Sequence, residues 1–207
     1  MRAAGTNIAI SAAAAASGSV RHVREGRVDW RIVAWMAPPS VVGAVAGALF
    51  AEDVPRSALY AIISLVLLWS GVDLALRPIR PVERARPRVA PAALFGGAIG
   101  AIGGAVGVIL GTLRMPALVR SVGLDVRRAA GTNLVVGAML GAAAFGTHAA
   151  ALDIDWPILA AGLMGGIPGG WLGARWTGVV SETTLRLALG AALIAVGLAF
   201  AVEAVLA

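Results

Sequence analysis

One hexapeptide occurs twice in this chain, and the register between its copies holds far beyond it. Arg2-Ala3-Ala4-Gly5-Thr6-Asn7 returns as Arg128-Ala129-Ala130-Gly131-Thr132-Asn133, 126 positions later. Without a gap, His22 then falls on His148, and Asp29-Trp30 on Asp155-Trp156. Gly43 and Gly47 fall on Gly169 and Gly173, and Gly71 falls on Gly197. Residues 1–81 therefore repeat as 127–207. A repeat of that length holds several helices, so the chain reads as two copies of one structural unit. A Gly-rich stretch, residues 91–126, precedes the second copy, and the repeat predicts an opening segment of the same kind for the first unit that this chain lacks.

Composition says where such a unit sits. Hydrophobic residues make up 59% of the chain and charged residues 14%, with a mean hydropathy of +0.86. A soluble domain carries about one-quarter charged residues. Apolar runs of membrane-spanning length recur at 3–20, 30–50, 57–76, 91–112, 129–150, 156–176 and 183–206. The fold class read from this is an all-α polytopic membrane protein. A β-barrel would show alternation in short segments, which these runs do not have. There is no Cys, which excludes disulfides and thiol chemistry. The basic residues are all Arg, and their clusters lie in short loops between apolar runs. That is the pattern of charges that hold loops in the cytoplasm, and it argues against a nucleic-acid partner.

The chain divides into a first repeat (1–81), an Arg- and Pro-rich linker (82–90) and a second repeat (91–207). The charge pattern puts the basic loops 21–31 and 77–90 in the cytoplasm of a multi-pass protein in the cell's inner membrane. Segment 113–128 is basic too, whereas the loop from Ala150 to Asp155 is acidic. If the Gly-dense run 91–112 dips into the membrane and returns, the basic segment stays inside and the acidic loop lies outside. The two repeats would then be inverted relative to each other, an arrangement common in transporters, with the binding site near broken helices at the midplane. Pro38-Pro39 is expected to break the second run. Asp29 and Asp155, each just before a Trp, are placed to cap helix starts.

The Gly-dense segment runs into Met115-Pro116-Ala117-Leu118 and then Asp125-Val126-Arg127-Arg128-Ala129-Ala130-Gly131-Thr132-Asn133. The first half carries Gly5-Thr6-Asn7, His22 and Gly26-Arg27-Val28-Asp29-Trp30 at matching spacing. These paired motifs resemble the TauE/SafE sulfite exporter family, also called the sulfonate-uptake permease family, over essentially the whole chain. The resemblance implies a secondary transporter built of two related halves that moves small sulfur-containing or organic anions. Two departures stand out. The first half's opening Gly-rich segment is missing, and the glycine cluster reads Gly103-Gly104-Ala105-Val106-Gly107, looser than the family's unbroken glycines.

The candidate substrate-binding residues are Thr6, Asn7, Gly103, Gly104, Gly107, Pro116, Thr132 and Asn133. Hydroxyl and amide donors can bind an anion, but the same side chains can join helices to one another. His22 and His148 either carry a coupled proton or are interfacial residues with no part in transport. Arg114 and Arg120 lie nearest the Gly-dense segment, as topogenic charges or as an attraction for substrate at the entrance. Asp73 is placed to pair with Arg77. No catalytic residue, metal or cofactor is expected. The expected partners are a small anion, the lipid bilayer and further copies of the chain. A truncated, non-transporting membrane scaffold or assembly subunit is the alternative function.

Overall fold

Helix starts follow directly from the sequence. Asp29 Oδ1 accepts the Ile32 amide at 3.1 Å, and Asp155 Oδ1 accepts the Ile158 amide at 3.1 Å. Each carboxylate satisfies one of the free N–H groups that open a helix. A computed structural model describes residues 2–49, 55–77, 87–106, 111–150 and 155–206. Among these the regular elements are all helical: α1 (Arg2–Arg24), α2 (Trp30–Leu49), α3 (Arg56–Leu76), α4 (Val89–Val106), α5 (Gly111–Pro116) with a π-helical continuation (Ala117–Val122), α6 (Val126–Ala150), α7 (Trp156–Val179) and α8 (Glu182–Leu206). Under the 126-residue shift, α1, α2 and α3 correspond to α6, α7 and α8.

α2 departs from the expected break, because it runs unbroken through Pro38 and Pro39. Proline's fixed φ suits a helix, and its cost is lost N–H donors. The carbonyls of Ala34 and Trp35 lose their usual donors to the two prolines, and just beyond them the Ser40 hydroxyl donates to the Met36 carbonyl at 2.7 Å. The π-helical stretch begins just after Pro116, which likewise lacks an N–H, and Gly123 closes it at φ 90° in the left-handed region.

Contacts between named residues set the direction of each helix. On α2 and α4, Met36 meets Gly96, Ser40 meets Gly100 and Ala44 meets Gly104, so these helices run parallel. α3 and α8 run antiparallel, with Gly71 against Gly190 and Ile194, and Leu68 against Gly197. α1 and α7 are parallel: Ile10 packs at Gly162, and Ala14 at Gly170. α1 and α6 are antiparallel, because Thr6 meets Asp155 just beyond α6, while the far end of α1 meets Gly131 at the start of α6.

One consequence is a hairpin. The Arg88 amide, just before α4, donates to the Val122 carbonyl at the end of the π stretch, 3.0 Å away. The segment 89–122 therefore finishes at the end of the bundle where it began. Arginines gather at that end, where they bond carbonyls in or near the last turns of helices. Arg27 reaches Ala174 O, Arg120 reaches Asp73 O and Arg77 O, Arg127 reaches Val180 O, and Arg186 reaches Leu74 O and Ala75 O. Cations belong there, because the carbonyl end of a helix is its negative pole.

The main core gathers Met36, Leu67, Ile99, Leu118, Val136 and Leu193 from α2, α3, α4, the π stretch, α6 and α8. Large apolar side chains also face outward, with Val205 86% and Met164 80% exposed. A folded chain in water does not keep so many, and lipid is the solvent they fit. By length and composition α8 is the one described helix able to cross a membrane on its own, at a hydropathy of 2.3. Tyr60–Leu76 and Val89–Ala105 are apolar but shorter. Ala, Gly and Ser are frequent in the other helices. Those small residues let helix backbones approach closely.

Candidate functional site

α5 is a short helix on the returning arm of the hairpin, and it delivers a charge into the bundle. Arg114 is only 2% exposed. Its Nε donates to Asn133 Oδ1 at 2.9 Å, and Asn133 Nδ2 donates to the Gly111 carbonyl at 3.0 Å. Asn133 is thus used at both ends of its amide, tying the start of α5 to α6 and fixing the guanidinium. Arg114 Nη2 is buried without a hydrogen-bond partner. Glycines flank it: a Cβ at Gly111 would lie 3.5 Å from Nη2, and one at Gly137 would lie 3.3 Å away.

The described carboxylates are engaged elsewhere or point outward. Asp73 pairs with Arg120 at 2.9 Å and Arg77 at 3.4 Å, and Glu25 pairs with Arg21 and Arg27. Asp29, Asp125 and Asp155 accept amides at helix starts, and Glu182 and Glu203 are exposed. Among the described residues, then, Arg114 has no counter-ion. A buried charge without a partner is strongly unfavourable, and within a membrane protein it marks a functional site by default.

The family model for the sulfite exporter TauE/SafE matches residues 1–200. The chain belongs to that family. A Bacillus subtilis (strain 168) protein described as "Probable membrane transporter protein YdhB" is 24% identical over 191 residues, which cover 89% of this chain and 78% of that protein. No solved structure matches the chain. The TauE/SafE membership and this relative make the chain a membrane transporter.

Within this TauE/SafE chain the two Gly-Thr-Asn motifs stand at opposite ends of the α1–α6 pair. Thr6 Oγ1 accepts the Asp155 amide at 2.8 Å, and Thr132 Oγ1 accepts the Asp29 amide at 3.0 Å. Each Thr of one copy therefore holds the helix-capping Asp of the other copy. Their hydroxyls join helices, while Asn133, the next residue, reaches Arg114. Gly103 is buried, and Gly104 lies against Ala44, so it serves the close approach of α4 to α2. Gly107 and the side chains of Asn7 and His148 lie outside the described residues.

Pro116 lines a cavity of about 430 Å³ between α3, α4 and the hairpin's returning arm. Its walls are mainly apolar, with Asp73 and Arg120 among them. Arg120 is engaged there by the Asp73 carboxylate and by the carbonyls of Asp73 and Arg77, so Arg114 is the stronger candidate. Arg120 acts as a tie from the π stretch to the end of α3. His22 lies past the apolar run 3–20, at the arginine-rich end and outside the span, yet it is fully buried with neither ring nitrogen partnered. Burial first, and the nearby Arg27 second, push its pKa down to about 4.

Sequence reasoning had Arg114 among the charges flanking the Gly-dense segment. A sharper signal was there: Arg114 sits among Leu113, Met115 and Pro116, with Gly111 three positions before it. An Arg embedded in apolar residues is a candidate site. The roles of Gly111 and Gly137 were not readable, since both depend on how α5 meets α6.

Proposed function

We propose that this chain transports small oxyanions, sulfite and organosulfonates among them, by alternating access between two inverted repeats. The observation that carries the reading is Arg114 on the returning arm of the hairpin, a buried guanidinium held by Asn133 of α6 and without a counter-ion among the described residues. An anion is the natural partner for it. Inversion of the repeats is supported by the antiparallel course of α1 with α6 and of α3 with α8, the pairs that correspond under the 126-residue shift. A re-entrant hairpin, entering and leaving on the cytoplasmic side, is supported by the Arg88–Val122 bond. The gathering of arginines at that end supports a cytoplasmic placement of the basic loops. Transport then consists of one repeat rocking against the other about the hairpin. His22 and His148 remain candidates for a coupled proton, and the lowered value at His22 puts such a step on the acid side of neutrality.

The test is flux into proteoliposomes holding the purified protein. Sulfite and a small organosulfonate should move faster than into empty vesicles, and Arg114→Gln should bring flux to that background. Wild-type flux no greater than background for every anion tried would overturn the reading.

A further inference from the structure

The charge around Arg114 says more than that an anion binds. Three facts set its valence. The guanidinium supplies one positive charge, buried to 2% exposure. No described carboxylate reaches it, so among the described residues that charge has no protein partner. Asn133, the polar neighbour, presents its carbonyl to Arg114 Nε and spends a donor on Gly111 O. That donor is therefore committed to the hairpin.

We propose that the Arg114–Asn133 unit is a one-charge site, in which Arg114 Nη2 binds the head group of a monovalent oxyanion, a carboxylate or a sulfonate, in preference to a divalent one. A monovalent head group leaves the site neutral. A divalent one leaves a second negative charge buried beside glycine backbone and an Asn carbonyl, with no second cation among the described residues to offset it. Gly111 and Gly137 stand against Nη2, and a side chain at either would start within 3.5 Å of it and compete with a ligand for that nitrogen. Asn133 is a positioning residue: it aims the guanidinium and commits Nη2 to the ligand. This inference rests on the proposed function for the location of the site, but binding can be measured without transport.

The experiment is thermal unfolding of the purified full chain in detergent, titrated with methanesulfonate or with sulfate at matched ionic strength. Methanesulfonate should raise the midpoint at a half-saturating concentration at least roughly tenfold below that for sulfate. Asn133→Asp places a carboxylate at hydrogen-bonding distance from Arg114 and supplies the missing charge from within. It should abolish the methanesulfonate response, although it also gives up the Asn133 Nδ2 bond to the Gly111 carbonyl. Arg114→Gln should abolish the response without lowering the ligand-free midpoint, because an uncompensated buried charge is removed. Sulfate acting at the same or lower concentration would overturn the proposal. So would an Arg114→Gln protein that responds like wild type, or an Asn133→Asp protein that keeps its full response. Selective binding without flux would sink the transporter reading and leave the site standing. Undiminished flux in Arg114→Gln would do the reverse.

Discussion

The repeat makes a controlled experiment possible, because one substitution can be placed at two corresponding positions that meet different surroundings. Gly47 and Gly173 occupy the same place in the two copies. A Cβ at Gly47 would stand 2.9 Å from Ala101 Cα and closer still to the Ala101 carbonyl. Non-bonded carbon and oxygen atoms rest at about 3.2–4.0 Å, so α2 and α4 would have to part by about 1.5 Å at that point. Backbone rather than a flexible side chain is in the way, so the strain should cost on the order of 1–3 kcal/mol. A Cβ at Gly173 meets nothing within 4 Å. There, Gly→Ala should stabilise by about 0.5–1 kcal/mol through helix propensity alone. At roughly 2–4 °C per kcal/mol for a chain of this size, Gly47→Ala should lower the unfolding midpoint by several degrees. Gly173→Ala should leave it unchanged or raise it slightly. Tryptophan fluorescence during thermal unfolding in detergent reads both. Equal shifts of the same sign would refute the claim that the two copies use this position differently.

Two further predictions concern residues outside the anion site. Thr6→Val and Thr132→Val each leave a capping Asp amide without its acceptor, and each should cost about 1–3 kcal/mol. The double variant should be close to additive, because the bonds lie at opposite ends of the α1–α6 pair, and the methanesulfonate response should survive in all three. Loss of that response in a variant of unchanged stability would return the threonines to the binding site. The lowered pKa of His22 means that the unfolded chain takes up its proton first as pH falls. Stability should therefore decline from about pH 6.5 toward pH 4, by an amount on the order of 2–3 kcal/mol attributable to this residue. His22→Gln should unfold with a flatter pH profile across that window, and an unchanged slope would remove burial of His22 as the cause.

Much of the architecture was legible in the residues alone, for reasons that act locally or by composition. Apolar runs parted by arginine loops dictate helices in lipid, because a chain with so little charge cannot cover itself in water and its backbone must be satisfied within each segment. Asp29 and Asp155 announce helix starts, because a cap needs only its own side chain and the amides that follow. Asp73 and Arg77 pair because they stand one helical turn apart. The 126-residue register exposes the two copies without reference to any contact.

Tertiary structure decided what depends on which helix lies against which. Thr6 and Thr132 are identical in the sequence, and neither says that its acceptor oxygen serves the Asp of the other copy. Only the antiparallel course of α1 and α6 brings them there. Gly43 and Gly47 lie under α4, while Gly169 and Gly173 have nothing over them, although the register equates them. Pro38-Pro39 looks like a break, yet α2 runs through both and packs along α4 on either side of them. Arg114 is one arginine among seventeen until the hairpin turns it inward against Asn133. Burial and charge pairing are sums over neighbours distant in the chain, and no local pattern contains those sums.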